Sequence, residues 1–106
     1  MSEAIDLNSY EEFLDAVNQE GRVVVLFTSP SWCGPCQQME KHWTRITSEE
    51  DDIKFYRALE LDAHPWAMVE CAITSQPTSL LFENGELLRR IIGARTALPF
   101  LAEIRK

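Results

Sequence analysis

The sequence predicts an α/β fold, a central mixed five-stranded β-sheet flanked by four α-helices. Three observations carry this. Strand-like and helix-like patterns alternate along most of the chain, which is the order of a sheet covered by helices on both faces. Residues 23–27, Val-Val-Val-Leu-Phe, are apolar without a break, as a strand buried on both faces must be. Asn84-Gly85 separates two further apolar runs, and that dipeptide suits the tight turn of an antiparallel hairpin.

Taken in order, Ile5 and Leu7 alternate with Ala4 and Asp6 and hint at a short first strand. Ser9 and Glu12 form a capping box, and Tyr10, Phe13, Leu14 and Val17 follow at helical spacing. This helix is expected over residues 9–20, with Gly21 as its stop. The buried strand covers 22–27. A second helix is expected from Gly34 to Ser48, with Cys36, Met39, Trp43 and Ile46 on its inward stripe. The acidic run Glu49-Glu50-Asp51-Asp52 reads as a solvated loop, because acidic charge suits a helix C-terminus poorly. Residues 53–61 alternate as a strand through Ile53, Phe55, Leu59 and Leu61. Pro65 suits the first turn of a short helix ending near Ala72. Thr78–Phe82 and Leu87–Ile92 pair as the hairpin, Gly93 ends it, and Thr96 is placed to cap a final helix carrying Leu98, Phe100, Leu101 and Ile104.

The 106 residues suffice for a single domain, 1–106, with no room for a second core. A net charge of −7 disfavours binding to nucleic acid or an anionic membrane, both of which attract basic surfaces. No apolar run approaches the roughly 20 residues needed to cross a bilayer, and the first ten residues lack the apolar core of a signal peptide. Three cysteines are too few for a disulfide framework and fit a reducing compartment with one working pair. The expectation is a cytoplasmic protein.

Cys33 and Cys36 stand where the buried strand gives way to the second helix. A helix N-terminus carries unsatisfied N–H groups and about half a positive charge. A thiolate there is stabilised and becomes the form that attacks disulfides. A Cys-x-x-Cys beside a βαβ pattern reads as a redox motif. Structural zinc is the other use of such a pair. It would need two more ligands, and only Cys71, His42 and His64 are present, without paired spacing.

Trp32-Cys33-Gly34-Pro35-Cys36, Asp62, Pro77-Thr78, Asn84-Gly85 and Gly93 stand in the order and approximate spacing of the thioredoxin family, which the chain resembles over nearly its whole length. The resemblance implies the thioredoxin fold and a protein-disulfide reductase. Cys33 would be the exposed nucleophile that forms a mixed disulfide, and Cys36 the resolving thiol. Gly34 and Pro35 would tune the redox balance; in thioredoxins this pair accompanies a reducing potential of about −270 mV. Pro77 would carry a cis peptide bond beside the cysteines, the alternative being a trans proline that opens a strand. Trp32, Gln76, Pro77 and Gly93 would contact substrate. Protein disulfides as substrates, a thioredoxin reductase as electron donor, a monomeric state and no cofactor beyond the reversible Cys33–Cys36 disulfide complete the implied picture.

The sequence departs from the family at five places. Leu26 stands where thioredoxins bear a buried Asp, and Ala58 where they bear its Lys partner, or Arg57 with a one-residue slip. A buried Arg without that Asp would be costly. The usual proton acceptor for Cys36 is therefore missing, leaving water or Cys33 itself for the role. The segment Thr28-Ser29-Pro30-Ser31 is one residue longer than usual and gives a minor glutaredoxin-like character, without the glutathione-binding Gly-Gly pair. Lys41 replaces a helix-kinking Pro, and Ser75-Gln76 make the groove before Pro77 more polar. These mark a divergent thioredoxin. The alternatives are a binding or assembly subunit without redox cycling, a specialised glutaredoxin-like reductase, and an oxidase or isomerase, the last disfavoured by Gly34-Pro35. Cys71 reads as a half-buried packing residue or a regulatory thiol. Trp43 reads as core, and Trp66 as core or a partner contact.

Overall fold

A computed structural model describes residues 4–106. Its elements run β1 (Ile5–Asp6), α1 (Tyr10–Val17), β2 (Arg22–Thr28), α2 (Gly34–Ser48), β3 (Ile53–Leu59), a 3₁₀ turn (Leu61–Ala63), α3 (Trp66–Cys71), β4 (Thr78–Glu83), β5 (Glu86–Ile92) and α4 (Ala97–Arg105). One five-stranded sheet has the order β1-β3-β2-β4-β5. β3 is parallel to both β1 and β2, while β4 is antiparallel to β2 and to β5. The sheet is mixed, as expected.

The central place of β2 explains its unbroken apolar run. Val23, Val25 and Phe27 point into one core with Phe13, Ala67 and Cys71. Val24 and Leu26 point into the other with Met39, Trp43 and Phe100. Side chains alternate across a strand, so a strand covered on both sides has no position left for water. Trp43, one of the residues read as core, is 4% exposed and meets Phe55 and Phe100 edge-on.

The structure moves several expected boundaries. α1 ends at Val17 with Asn18 as its cap, so residues 18–20 are not helical and Gly21 is not its stop. Gly21 instead has φ +85° and turns the chain into β2. Its N–H donates to Asn84 Oδ1 at 2.8 Å, and its carbonyl accepts from Asn84 N–H at 3.0 Å. The glycine is there to bring the chain against the hairpin turn. The capping box is realised through a neighbour: Glu12 N–H donates to Ser9 Oγ, while Glu12 Oε1 accepts from Asn8 N–H. β3 stops at Leu59, two residues early, because Glu60 has φ 60° and leaves the extended region. Thr96 precedes α4 without a side-chain cap, and only its carbonyl takes part, accepting from Phe100 N–H. The acidic run is no free loop either. Arg105 Nε donates to Glu50 at 2.7 Å, and the Glu50 side chain is only 16% exposed.

Candidate functional site

The site forms where β2 and β3 end and α2 begins. Cys33 is the N-cap residue of α2, and its Sγ accepts the Cys36 N–H at 3.2 Å. A sulfur in this position satisfies one of the free donors of the first turn, the role usually filled by a hydroxyl or carboxylate oxygen. Pro35 lies in the first turn, where its missing N–H takes nothing from the helix. Cys33 and Cys36 are joined in a disulfide, with Cα atoms 5.2 Å apart. Cys36 Sγ accepts the Ser29 N–H at 3.4 Å. Donors therefore face both sulfurs.

Exposure differs from expectation. Cys33 is 7% exposed, not an open nucleophile, while Trp32 beside it is 60% exposed. The reason lies across the site: Cys33 Sγ stands 3.8 Å from the Gln76 carbonyl oxygen. The Gln76–Pro77 peptide bond is cis, and Gly93 N–H donates to the Pro77 carbonyl at 2.8 Å. Gly93 has φ +94°, and a Cβ there would lie 3.3 Å from Arg95 Nη1. The structure thus brings Trp32, Cys33, Gln76, Pro77 and Gly93 together from three separate stretches of chain. A cleft of about 440 Å³ opens beside Gln76 between the 3₁₀ turn and α3, lined by Leu61, Pro65, Met68 and Ile73 among others.

The segment before Trp32 is held in a way the sequence did not announce. Ser31 N–H donates to Glu60 Oε2 at 3.1 Å and Ser31 Oγ to Glu60 Oε1 at 2.6 Å. Ser29 Oγ accepts Leu61 N–H at 3.0 Å, and Thr28 O accepts Glu60 N–H at 2.8 Å. The left-handed backbone at Glu60 and the Ser29–Ser31 segment thus serve one arrangement, which ties the end of β3 to the active-site loop. The two serines spaced by Pro30 were the available signal.

The pairing of β2 with β3 also differs from what the sequence implied. Leu26 pairs in register with Arg57 rather than with Ala58, which pairs with Phe27 and lies in the opposite core. Arg57 therefore shares a face with Leu26. It is neither fully buried nor unpaired: its side chain is 22% exposed and meets Glu40 at 2.6 Å and Asp6 at 3.3 Å. Two carboxylates from α2 and β1 replace a single Asp on β2 as its partners.

Cys71, the last residue of α3, is 8% exposed and packs in the core shared with Phe27. Burial pushes its thiol up to about 11, with Arg90 pulling it down and Glu70 pushing it further up. Trp66 packs against Tyr10, Phe13, Phe27 and His64, which makes it part of the core's rim. Among the described residues, no group of three or more His, Cys, Asp or Glu side chains is placed to hold a metal ion, and no helix is long and apolar enough to cross a membrane.

The sequence model of the Thioredoxin family matches residues 4–106. The chain belongs to the thioredoxin family. Among relatives it is 36% identical over 93 residues to Thioredoxin-3, mitochondrial, of Saccharomyces cerevisiae, covering 87% of this chain and 72% of that one. It is 29% identical over 100 residues to the bifunctional thioredoxin reductase/thioredoxin of Mycobacterium leprae, covering 94% of this chain and 22% of that longer protein. The crystal structure of the oxidised form of mitochondrial thioredoxin 3 from Saccharomyces cerevisiae superposes with a TM-score of 0.85 at 30% identity, covering 96% of this chain and 93% of that one. With the redox-active cysteine pair in place, the chain is a thiol-disulfide oxidoreductase.

Proposed function

We propose that the chain reduces protein disulfides, with Cys33 as nucleophile and Cys36 as resolving thiol. One observation carries the assignment of roles. Cys33 Sγ caps α2, accepts the Cys36 N–H at 3.2 Å, and lies 3.8 Å from the Gln76 carbonyl at the edge of the cleft. Of the two sulfurs it is the one beside a surface where a substrate segment can lie. Cys36 is fully buried one turn inward and is joined to Cys33.

In the reaction, the Cys33 thiolate attacks one sulfur of the substrate disulfide and expels the other as thiolate. Cys36 then attacks Cys33 Sγ, releasing the second substrate thiol and leaving the Cys33–Cys36 disulfide. Gly34 and Pro35 tune the balance between the two states. Trp32, Gln76, Pro77 and Gly93 form the contact surface, with the backbone at residue 76 available to an extended segment. Residues 1–106 act as one domain and as a monomer, with no cofactor beyond the disulfide. The protein works in the cytoplasm. A thioredoxin reductase is the electron donor, a reading supported by the Mycobacterium leprae relative whose name joins the two activities.

Reduction of insulin disulfides by the wild type and by Cys33→Ser tests the assignment. Wild-type turnover with loss in the variant is expected. Equal activity in both would remove Cys33 from the reaction.

A further inference from the structure

Cys36 is fully buried, and a thiol attacks only after its proton leaves. Apart from the disulfide to Cys33, the hydrogen-bond partner of its sulfur among the described residues is a donor, not a proton acceptor. Ser29 N–H donates to Cys36 Sγ, which steadies a thiolate but takes no proton. Leu26 on β2 is apolar and 1% exposed, and its partner in register on β3 is the cation Arg57.

One turn along α2 stands Glu40. Helical residues four apart share a face, with Cβ atoms roughly 5–6 Å apart. Helical side chains also lean toward the N-terminus, which puts position 40 on the side of the helix that carries Cys36. Its Oε1 accepts from Arg57 Nη1 at 2.6 Å. Its Oε2 is buried and has no hydrogen-bond partner among the described residues, although the side chain as a whole is 33% exposed. A buried carboxylate oxygen left without a donor is uncommon and calls for a reason.

We propose that Glu40 is the proton acceptor for Cys36 in the resolving step, acting through a bridging water, with Arg57 holding the carboxylate in place. This rests on the dithiol reading above. In the mixed disulfide, Glu40 takes the Cys36 thiol proton and Cys36 Sγ bonds to Cys33 Sγ. The bond from Cys33 to the substrate sulfur breaks, and its electron pair leaves on that sulfur, which takes a proton from solvent. Glu40, partly exposed, returns its own proton to solvent. The substrate disulfide ends as two thiols, and Cys33 and Cys36 end as a disulfide. The charged groups that face Glu40 are Arg57 from β3 and, through Arg57, Asp6 from β1. β2 contributes Leu26. The segment before α4 contributes the Arg95 backbone N–H, which lies 3.5 Å from the sulfur of Met39, the residue before Glu40.

Stopped-flow mixing of the fully reduced protein with dithiobis(nitrobenzoate) reads both steps in one trace. Attack by Cys33 releases one coloured thiolate, and resolution by Cys36 releases a second. Glu40→Gln, which keeps the shape and an oxygen for Arg57, should leave the first phase within about twofold and slow the second roughly tenfold or more near pH 7, at or below the low end of general-base contributions. The gap should close as pH rises and Cys36 ionises unaided. Glu40→Asp should recover part of the rate. An unchanged second phase in Glu40→Gln would overturn the proposal. So would a slowing of equal size at every pH, since that is what a purely structural role produces. A wild-type trace with no second phase would remove the dithiol reading, and this proposal with it.

Discussion

Cys33 and Cys71 are buried to nearly the same degree, 7% and 8% exposed, and each stands at a helix end beside the sheet. Their surroundings are opposite. Cys33 precedes the first turn of α2, where the Cys36 N–H donates to its sulfur and the helix dipole favours negative charge. Cys71 closes α3, the end at which a helix leaves carbonyls rather than N–H groups free, and Arg90 donates to the Cys71 and Ala72 carbonyl oxygens. On the proposed assignment, burial therefore does not distinguish the nucleophile from Cys71. The end of the helix does, together with what stands across from it: the Gln76 carbonyl for Cys33 and the packed core for Cys71.

The strongest way to break this comparison is to exchange the roles by mutation. Cys33→Ser should lower turnover on a protein disulfide by about a thousandfold or more, as removal of a nucleophile does, while Cys71→Ala should stay within about twofold. A comparable loss in Cys71→Ala would make it part of the reaction. Alkylation sharpens the contrast. Iodoacetamide added to the reduced protein at pH 7 should modify Cys33 on the order of a hundredfold faster than Cys71, because only the thiolate reacts and burial raises Cys71 to about 11. Mass spectrometry of the two peptides reads the ratio.

A smaller effect concerns Leu26 on β2. Leu26→Asp puts a carboxylate where the structure has a 1% exposed leucine facing Arg57. It should destabilise the fold by roughly 2–4 kcal/mol in denaturant titration, the range for burying a poorly paired polar group. It should also change the pH dependence of turnover by adding a second proton acceptor. An unaltered profile would show that this strand position does not reach the thiol. The smallest effect belongs to Cys71 again. Its pKa is raised on folding from 9.0 to about 11, so above pH 9 the unfolded chain binds fewer protons than the folded one. Stability should be fully retained below pH 9 and fall as pH rises through 11. Cys71→Ala should flatten that slope, read from denaturation midpoints across the range.

The elements whose signals are local were legible before the structure. The unbroken run Val23–Phe27 announced the central strand, Ser9 marked the start of α1, Asn84-Gly85 announced the hairpin, and Gly34 to Ser48 were placed in a helix with the observed bounds. Local geometry that depends on distant partners was not. Gly21 looked like a helix stop and is held by Asn84, and Glu60 looked like strand and is turned out to grip Ser31. Thr96 had the right side chain for a cap and does not use it.

The same division runs through the site. By itself the sequence determined that two thiols would sit three residues apart at the mouth of a helix, because strand, breaker and helix signals meet at Trp32–Cys36 and act over a few residues. Tertiary structure alone decided what surrounds them. The register of β2 against β3 put Arg57 rather than Ala58 beside Leu26, a shift of one residue that moves a side chain to the other face of the sheet. The packing of α2 onto that face then placed Glu40 against Arg57. Register and packing are sums over many weak, long-range contacts, so no short stretch of sequence carries them.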